Sequence, residues 1–276
     1  PKRDWSSDVC SSDLKRGATM VSIPRGQPLR NRKVASDLIH TAVQSRDLPE
    51  KIELATKALA ADDQYVDAYV VRGQTYLSIA SLNAKKNSRQ ELADYVDRAI
   101  ADFDRALALD ASSPWALLGL GDAYTWKKKP DEAAATYERV LQVDPLFDVA
   151  QQRLIALRLS TAKKQMAARQ WRQALATLDA LLPANDLPGW IFHKRECYLL
   201  RSQVHAHLDK TQQAVDDLTT VIRMDPTNRQ ALLLRAKLYL RLQQGRLAKD
   251  DFDRACSLGS EDACAEVTRL SNHAAQ

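Results

Sequence analysis

Residues 114–147 contain the pattern that most constrains how this chain folds. Large and small apolar residues recur there at helical spacing in two successive segments, and an Asp–Pro step ends the second segment. Because proline disfavours a helical predecessor and suits the first turn of a helix, this step separates one helix from the next. The pattern therefore predicts two helices packed as a hairpin. The residues that carry it are Leu117, Leu120, Gly121, Tyr124, Ala133, Tyr137, Asp144 and Pro145.

Related patterns recur along most of the chain. Ala99, Phe103 and Ala106 lie one repeat upstream of Ala133, Tyr137 and Val140, although an insertion of polar residues 78–91 separates them from their first helix. We expect that insertion to form a longer helix end and a surface loop. The sequence predicts an all-α fold of about six hairpins and a C-terminal capping helix. The ranges are about 32–65, 66–113, 114–147, 148–187, 188–228 and 229–260, with the cap over 261–271.

The spacing resembles that of the tetratricopeptide repeat (TPR) family over residues 32–276. The resemblance is strong in four segments and weak in the first and fourth hairpins. In the first hairpin Lys51 replaces a small residue, and in the fourth hairpin the first helix is too long. The resemblance implies a right-handed superhelical solenoid. It also implies that the first helices of the hairpins line a concave groove for a peptide or a partner domain. The strong segments are 66–113, 114–147, 195–228 and 229–262.

The groove implied by the resemblance would be lined by first-helix residues that do not pack inside a hairpin. Trp115 and Trp126 lie about three helical turns apart and therefore share a face, so they are candidate anchors for a partner. The alternative is that Trp115 packs against the preceding helix and Trp126 against the insertion. The groove candidates are Asp67, Val70, Gln74, Trp115, Leu118, Asp122, Trp126, Glu196, Leu199, Gln203, His207, Gln230, Leu233, Lys237 and Arg241.

The groove lacks the Lys and Asn residues with which chaperone-binding TPR proteins clamp a C-terminal carboxylate. Val70, Gln74 and Leu118 stand near those positions instead. This departure argues against a receptor for chaperone tails. An apolar groove of this kind suits a helix or an extended hydrophobic segment.

Two cysteines lie close together near the C-terminus. Residues 255–264 resemble the Sel-like cysteine-rich helical repeats, in which cysteines at this spacing bridge adjacent helices. The resemblance implies a disulfide between Cys256 and Cys264 and an exported protein. The alternative is two small buried apolar side chains. Cys197 is expected to be a buried free thiol.

No other residues form a recognisable reaction site or cofactor site. His193 and Cys197 lie one helical turn apart, but four ligands are needed for a structural metal site, so we expect no metal. Phosphate-binding, hydrolase, metalloprotease and dinucleotide motifs are absent from the sequence. His205 and His207 are expected at the surface. The pairs Asp216–Asp217 and Asp250–Asp251 recur at equivalent repeat positions, which predicts a solvated face.

The N-terminal residues differ from the rest of the chain. Residues 4–14 resemble a translated sequencing adapter, so we treat residues 1–14 as non-native and residues 15–31 as a basic disordered leader. Residues 1–33 carry eight Lys/Arg and three Asp, which accounts for the whole net charge of +5. The folded body is therefore neutral, and this disfavours nucleic acid as a ligand of the repeats. If Met20 is the start, we expect a cytoplasmic protein. If Cys256 and Cys264 form a disulfide and a signal peptide was lost upstream of the adapter-like segment, we expect a periplasmic or exported protein.

These features predict a non-catalytic scaffold that binds a protein or peptide, with no cofactor, no small-molecule substrate and no membrane span. Two alternatives stay open. The chain can be a regulatory or accessory fragment of a larger multidomain protein. It can also bind nucleic acid through its basic tail, in which case binding would be sensitive to salt and lost on deletion of residues 15–33.

Overall fold

Each helix of the repeat pattern is present in a computed structural model of the chain. The structure describes residues 29–84, 88–182 and 190–274. These residues form thirteen α-helices. The helices are α1 Leu29–Gln44, α2 Leu48–Ala61, α3 Val66–Leu82, α4 Arg89–Leu109, α5 Pro114–Trp126, α6 Pro130–Val143, α7 Asp148–Ala167, α8 Trp171–Asp179, α9 Trp190–His207, α10 Thr211–Met224, α11 Arg229–Arg241, α12 Gly245–Ser257 and α13 Glu261–Ala274.

The helices are paired as hairpins, and the hairpins fall into two compact units. Unit 1 ends at Val143 and contains α1/α2, α3/α4 and α5/α6. Unit 2 begins at Asp144 and contains α7/α8, α9/α10, α11/α12 and the final helix α13. The predicted all-α repeat fold of six hairpins and a capping helix is therefore confirmed.

The insertion in the second hairpin lengthens both of its helices. Helix α3 continues to Leu82, and α4 starts at Arg89 behind a capping box. In this box the Ser88 hydroxyl accepts from the Glu91 backbone N–H, and the Glu91 carboxylate accepts from the Ser88 N–H. The rings of Tyr76 and Tyr95 lie 6.2 Å apart beside the insertion, and Ala80 within it is fully buried in the same core cluster. The extension of α3 is therefore packed.

Four turns between paired helices share one backbone conformation without using glycine. Lys128, Arg169, Asp209 and Gln243 have φ angles between 57° and 60°. In each turn the following amide bonds back to a carbonyl five residues earlier in the first helix, as Gln244 N does to Tyr239 O at 2.8 Å. This bond satisfies a carbonyl that the helix end leaves free. The turns were not predicted from the sequence, because glycine is their usual marker.

Glycines in unit 1 let the helices approach an aromatic ring closely. A Cβ atom added to Gly119 would lie 2.3 Å from Phe103 Cζ, and one added to Gly73 would lie 2.8 Å from Phe103 Cε1. Phe103 is fully buried between the two. A Cβ atom added to Gly121 would lie 2.5 Å from Tyr137 Cε1. Gly73, Gly119 and Gly121 are thus points of close helix contact.

Candidate functional site

The first helices of the hairpins form one surface in each unit. In unit 1, α1 contacts α3 and α3 contacts α5, and in unit 2, α7 contacts α9. The second helices instead pack against the first helices on either side of them, as α4 does against α3 and α5. We call the surface formed by α1, α3 and α5 the inner surface of unit 1. The surface formed by α7, α9 and α11 is the inner surface of unit 2.

The inner surface of unit 1 is more closed than the sequence suggested. Val70 is 6% exposed and Leu118 is 5% exposed, so both belong to the packing. Trp115 packs against a cluster that contains Val70 of α3 and Ala106 of the preceding helix α4, which is where the alternative interpretation placed it. Val70, Leu118 and Trp115 therefore contribute to the packing beneath the inner surface of unit 1.

Polar and aromatic side chains remain accessible on the same surface. Trp126, at the last turn of α5, is 39% exposed. Asp122 is half-buried, and one of its carboxylate oxygens accepts a hydrogen bond of 2.6 Å from the Tyr137 hydroxyl. Gln74 is also half-buried. Tyr137 thus holds the Asp122 carboxylate in place one helical turn before Trp126.

On the inner surface of unit 2, aliphatic and basic side chains are more accessible than on the inner surface of unit 1. Leu199 and Leu233 are partly buried against the core of the unit, and Gln203 is half-buried. Lys237 and Arg241 are exposed on α11. Arg241 donates to the Ala206 carbonyl and to Asp209 Oδ1, at 3.2 and 2.9 Å. It therefore ties α11 to the end of α9.

Aromatic stacking occurs where α8 begins. The rings of Trp171 and His207 are 3.9 Å apart and nearly parallel, with an interplanar angle of 9°. His207 is exposed, as expected from the sequence. A cavity of about 400 Å³ borders this pair.

A second cavity of about 500 Å³ opens on the inner surface of unit 2. Its wall on α7 includes Ala156, Leu159 and Lys164, and its wall on α9 includes His193 and Glu196. Lys163 Nζ lies 2.6 Å from Glu196 Oε1 and links the two helices. The cavity thus combines an aliphatic floor with a charged rim.

Arginine–aspartate pairs recur inside three hairpins. Arg235 donates from Nε and Nη2 to the two oxygens of Asp251, at 2.7 and 2.8 Å. Arg72 and Asp102 are joined in the same two-pronged way in hairpin two, and Arg201 and Asp217 in hairpin five. A bidentate guanidinium–carboxylate pair is short, charge-assisted and geometrically specific. The pairs therefore fix the distance between first and second helix.

Each of these arginines also reaches the second helix of the preceding hairpin. The acceptors are Thr56 for Arg72, Asp179 for Arg201 and Thr219 for Arg235, at 3.3, 2.8 and 3.0 Å. One guanidinium thus joins three helices. Hydrogen bonding to Asp251 raises the pKa of Arg235 above its ordinary value, against the opposing effect of burial.

The aspartate pairs do not form the solvated face that the sequence suggested. Asp217 is 3% exposed and Asp251 is 2% exposed, whereas their neighbours Asp216 and Asp250 are exposed. The prediction was wrong for one member of each pair because an arginine from the first helix neutralises it. The available signal was Arg followed by a small residue, with Asp sixteen residues later at 201/217 and 235/251.

His205 was also misplaced by the sequence analysis. It is 7% exposed, its Nε2 lies 3.8 Å from Asp217 Oδ2, and its Nδ1 has no hydrogen-bond partner in the structure as described. Burial lowers the pKa of His205 below its ordinary value, although the Asp217 carboxylate opposes this effect. Burial therefore favours the neutral form of this imidazole.

The cysteines of unit 2 have different states. Cys256 and Cys264 are joined in a disulfide bond between α12 and α13, with Cα atoms 4.7 Å apart. Cys197 is a free and fully buried thiol, and burial raises its pKa to about 12. It lies 3.7 Å from the Leu178 carbonyl. The described residues contain no cluster of three or more metal-ligating side chains.

Two further results concern the N-terminal residues and the apolar character of the helices. The adapter-like residues 1–14 and most of the basic leader, residues 15–28, lie outside the described residues. Among the helices that the structure describes, none combines the length and the apolar character needed to cross a membrane.

Comparison with known proteins agrees with these repeats. The sequence profile of the tetratricopeptide repeat family matches residues 96–158. No curated protein matches the chain. Among solved structures, Naa15/Naa10 bound to HypK-THB is similar with a TM-score of 0.55 and 18% identity, over 87% of this chain and 34% of that one. This likeness supports the helical repeat fold.

Two smaller proteins are also similar in structure. A crystal structure of YrrB, a TPR protein with an unusual peptide-binding site, has a TM-score of 0.46 and 19% identity, over 79% of this chain and 99% of that one. MamA from Desulfovibrio magneticus RS-1 has a TM-score of 0.39 and 15% identity, over 67% of this chain and 94% of that one.

Proposed function

We propose that this chain, in which residues 96–158 match the tetratricopeptide repeat family, is a non-catalytic scaffold, and that the inner surface of each of its two units binds a segment of a partner protein. Proteins of this repeat class serve as interaction scaffolds, and their stacked hairpins create extended binding surfaces. The accessible side chains on the first helices support a partner that lies along these helices.

One observation carries the proposal. The first helices of both units present a line of side chains that are accessible although they lie on buried, rigid helices. In unit 1 this line ends at Trp126, which is 39% exposed at the end of α5. Tryptophans of this kind are enriched among residues that dominate binding energy. An exposed indole on a rigid helix therefore points to a contact with a partner.

A matched pair of variants in unit 1 tests this proposal. The partner is first isolated with the wild-type protein as bait and identified by mass spectrometry. Its affinity is then measured for the wild type, Trp126→Ala on the inner surface and Val143→Ala on the second helix α6, where Val143 is 46% exposed. We expect Trp126→Ala to weaken binding by about tenfold or more, as for a residue that dominates an interface, and Val143→Ala to have no effect. Equal binding by all three proteins would contradict the proposal for unit 1.

We also propose that the protein works in an oxidising compartment. The Cys256–Cys264 disulfide supports this, because disulfides persist where thiols are not kept reduced. Mass spectrometry of the protein from its native cells, after alkylation without a reductant, should find both cysteines unmodified by the alkylating reagent. Alkylation of both would contradict the proposal.

A further inference from the structure

We infer that the inner surface of unit 2 binds an acidic, extended segment of the partner protein. An apolar side chain of that segment enters the cavity between α7 and α9, and its carboxylates lie beside Lys164 and Lys237. The inference rests on the proposed function, since it names the partner chemistry for one of the two inner surfaces.

The charges on this surface are strongly unequal. Four basic side chains stand along α7 and α11, and Glu196 on α9 lies beside the two lysines of α7. Glu196 is already used by Lys163, 2.6 Å away, and Arg241 is engaged by Asp209 at 2.9 Å. The four basic residues are Lys163, Lys164, Lys237 and Arg241.

Two of the four cations remain without a counter-ion. Lys164 and Lys237 are exposed, and neither has an ion-pair partner among the residues that the structure describes. They lie on the first and third helices of the surface, with α9 between them. Complementary charge steers association and fixes the register of a bound chain. Two separated free cations therefore favour a segment with more than one carboxylate.

The cavity supplies the apolar half of the site. Leu159 and Ala156 form part of its floor, while Lys164 and His193 lie at its rim. Its volume of about 500 Å³ exceeds that of a single side chain. An aliphatic floor beside a lysine suits a peptide in which an apolar residue has acidic neighbours.

The same features favour a peptide over a nucleic acid. Single-stranded nucleic acids gain much of their affinity by stacking bases on aromatic side chains. The indole of Trp171 is already stacked on His207 at 3.9 Å, and the cavity between α7 and α9 is floored by aliphatic groups. Among the residues that the structure describes, the surface therefore lacks a free aromatic face beside the cavity for stacking a base, and a peptide fits it better than a single-stranded nucleic acid.

The test uses a fluorescently labelled peptide of alternating Glu and Leu residues, with a Lys and Leu peptide as the counterpart. Fluorescence anisotropy is measured with the full chain, the double variant Lys164→Glu/Lys237→Glu, and the matched double variant Arg172→Glu/Arg246→Glu. Arg172 and Arg246 are exposed on the second helices α8 and α12 of the same unit. Both variants change the net charge equally.

We expect the acidic peptide to bind the wild type and to lose about a hundredfold in affinity with the inner-surface variant, since each lost charge-assisted contact costs about tenfold. The second-helix variant should bind like the wild type, and the basic peptide should bind none of the proteins. Circular dichroism of all three proteins should agree, because the four substituted residues are exposed.

Several results would overturn the inference. One is equal binding of the acidic peptide by all three proteins. Another is tighter binding of labelled oligothymidine that is lost with the inner-surface variant, which would assign the surface to nucleic acid. A third is a wild-type dimer, seen by light scattering, that this variant dissociates, which would assign the surface to a second copy.

The outcome for the proposed function is separate. If Trp126→Ala weakens the binding of the isolated partner but Lys164→Glu/Lys237→Glu does not, the scaffold function stands and the inference of an acidic segment is wrong. If neither variant affects the partner, both proposals are wrong.

Discussion

The two units use the same hairpin but leave different side chains accessible on their inner surfaces. In unit 1 the apolar residues Val70 and Leu118 are buried, whereas Leu199 and Leu233 at the equivalent repeat positions of unit 2 are only partly buried. The inner surface of unit 1 ends at the indole of Trp126. Unit 2 has basic side chains and an open cavity.

A glycine accounts for part of this difference. Gly119 in α5 lets that helix close onto Phe103, while the equivalent residue of α11 is Leu234, whose side chain packs into the core. In α5 the close approach at Gly119 accompanies burial of the neighbouring Leu118, whereas in α3 Val70 is buried beside Val71.

The largest effect is expected from the arginine–aspartate pairs that both units share. Asp251→Ala should destabilise unit 2 by about 3–5 kcal/mol, because it leaves the guanidinium of Arg235 buried without its partner. Asp250→Ala, one residue away and exposed, should change stability by less than about 0.5 kcal/mol. Urea unfolding of both variants gives the two values. A small effect of Asp251→Ala would show that the pairs are incidental to the fold.

A smaller effect, confined to unit 1, is expected from Gly119→Ala. The added methyl group would meet Phe103 at 2.3 Å, and overpacking of this kind costs about 1–3 kcal/mol. Hydrogen exchange should increase in unit 1 peptides alone. Gly245→Ala in unit 2 is the control, since its Cβ would meet nothing within 4 Å and no loss of stability is expected. Unchanged exchange in Gly119→Ala would mean that close packing does not distinguish the units.

A pH dependence near neutrality is expected from His205 in unit 2. The pKa of His205 is lowered in the folded state below the ordinary value of 6.5, so its contribution to stability is full above pH 6.5 and is lost as the pH falls below that value. The protection factors of unit 2 amides, which remove the pH dependence of the intrinsic exchange rate, should therefore fall on acidification through this range. His205→Gln should weaken the dependence and His193→Gln, at a half-exposed site, should not. The same dependence in both variants would contradict the role of His205.

The smallest effect is expected where the units are alike, in their left-handed turns. Gln243 has φ 60°, a conformation that glycine adopts without steric cost. Gln243→Gly should therefore stabilise unit 2 by about 0.5–1 kcal/mol, and Lys128→Gly should stabilise unit 1 similarly. Thermal unfolding of each variant measures the change. Destabilisation by both glycines would show that these side chains make contacts that outweigh the backbone strain.

Much of this architecture could be predicted from the sequence because its signals repeat. Positions such as Ala133 and Phe252 are small or aromatic in most hairpins, so periodicity gave the helices and their pairing. The inner-surface candidates were chosen by register alone. Register does not report how closely two helices approach, which is why Val70 and Leu118 were expected at an open surface.

The polar interior was harder to predict. Asp217 and His205 look like surface residues when each helix is considered alone, and only the guanidinium of Arg201, on the same helix as His205, explains the buried carboxylate. The left-handed turns were also hidden, since Lys, Arg, Asp and Gln occupy them. Both features depend on contacts or conformations that hydrophobic periodicity does not encode.

The central claim is that partners bind the first helices of both units. Site-specific photo-crosslinking in native cells tests it most directly, with a photoreactive amino acid at Trp126 and Lys237 on the inner surfaces and at Val143 and Arg246 on second helices. The account predicts crosslinks to the same partner from Trp126 and Lys237 and none from Val143 and Arg246. Crosslinks from the second-helix positions alone would contradict it.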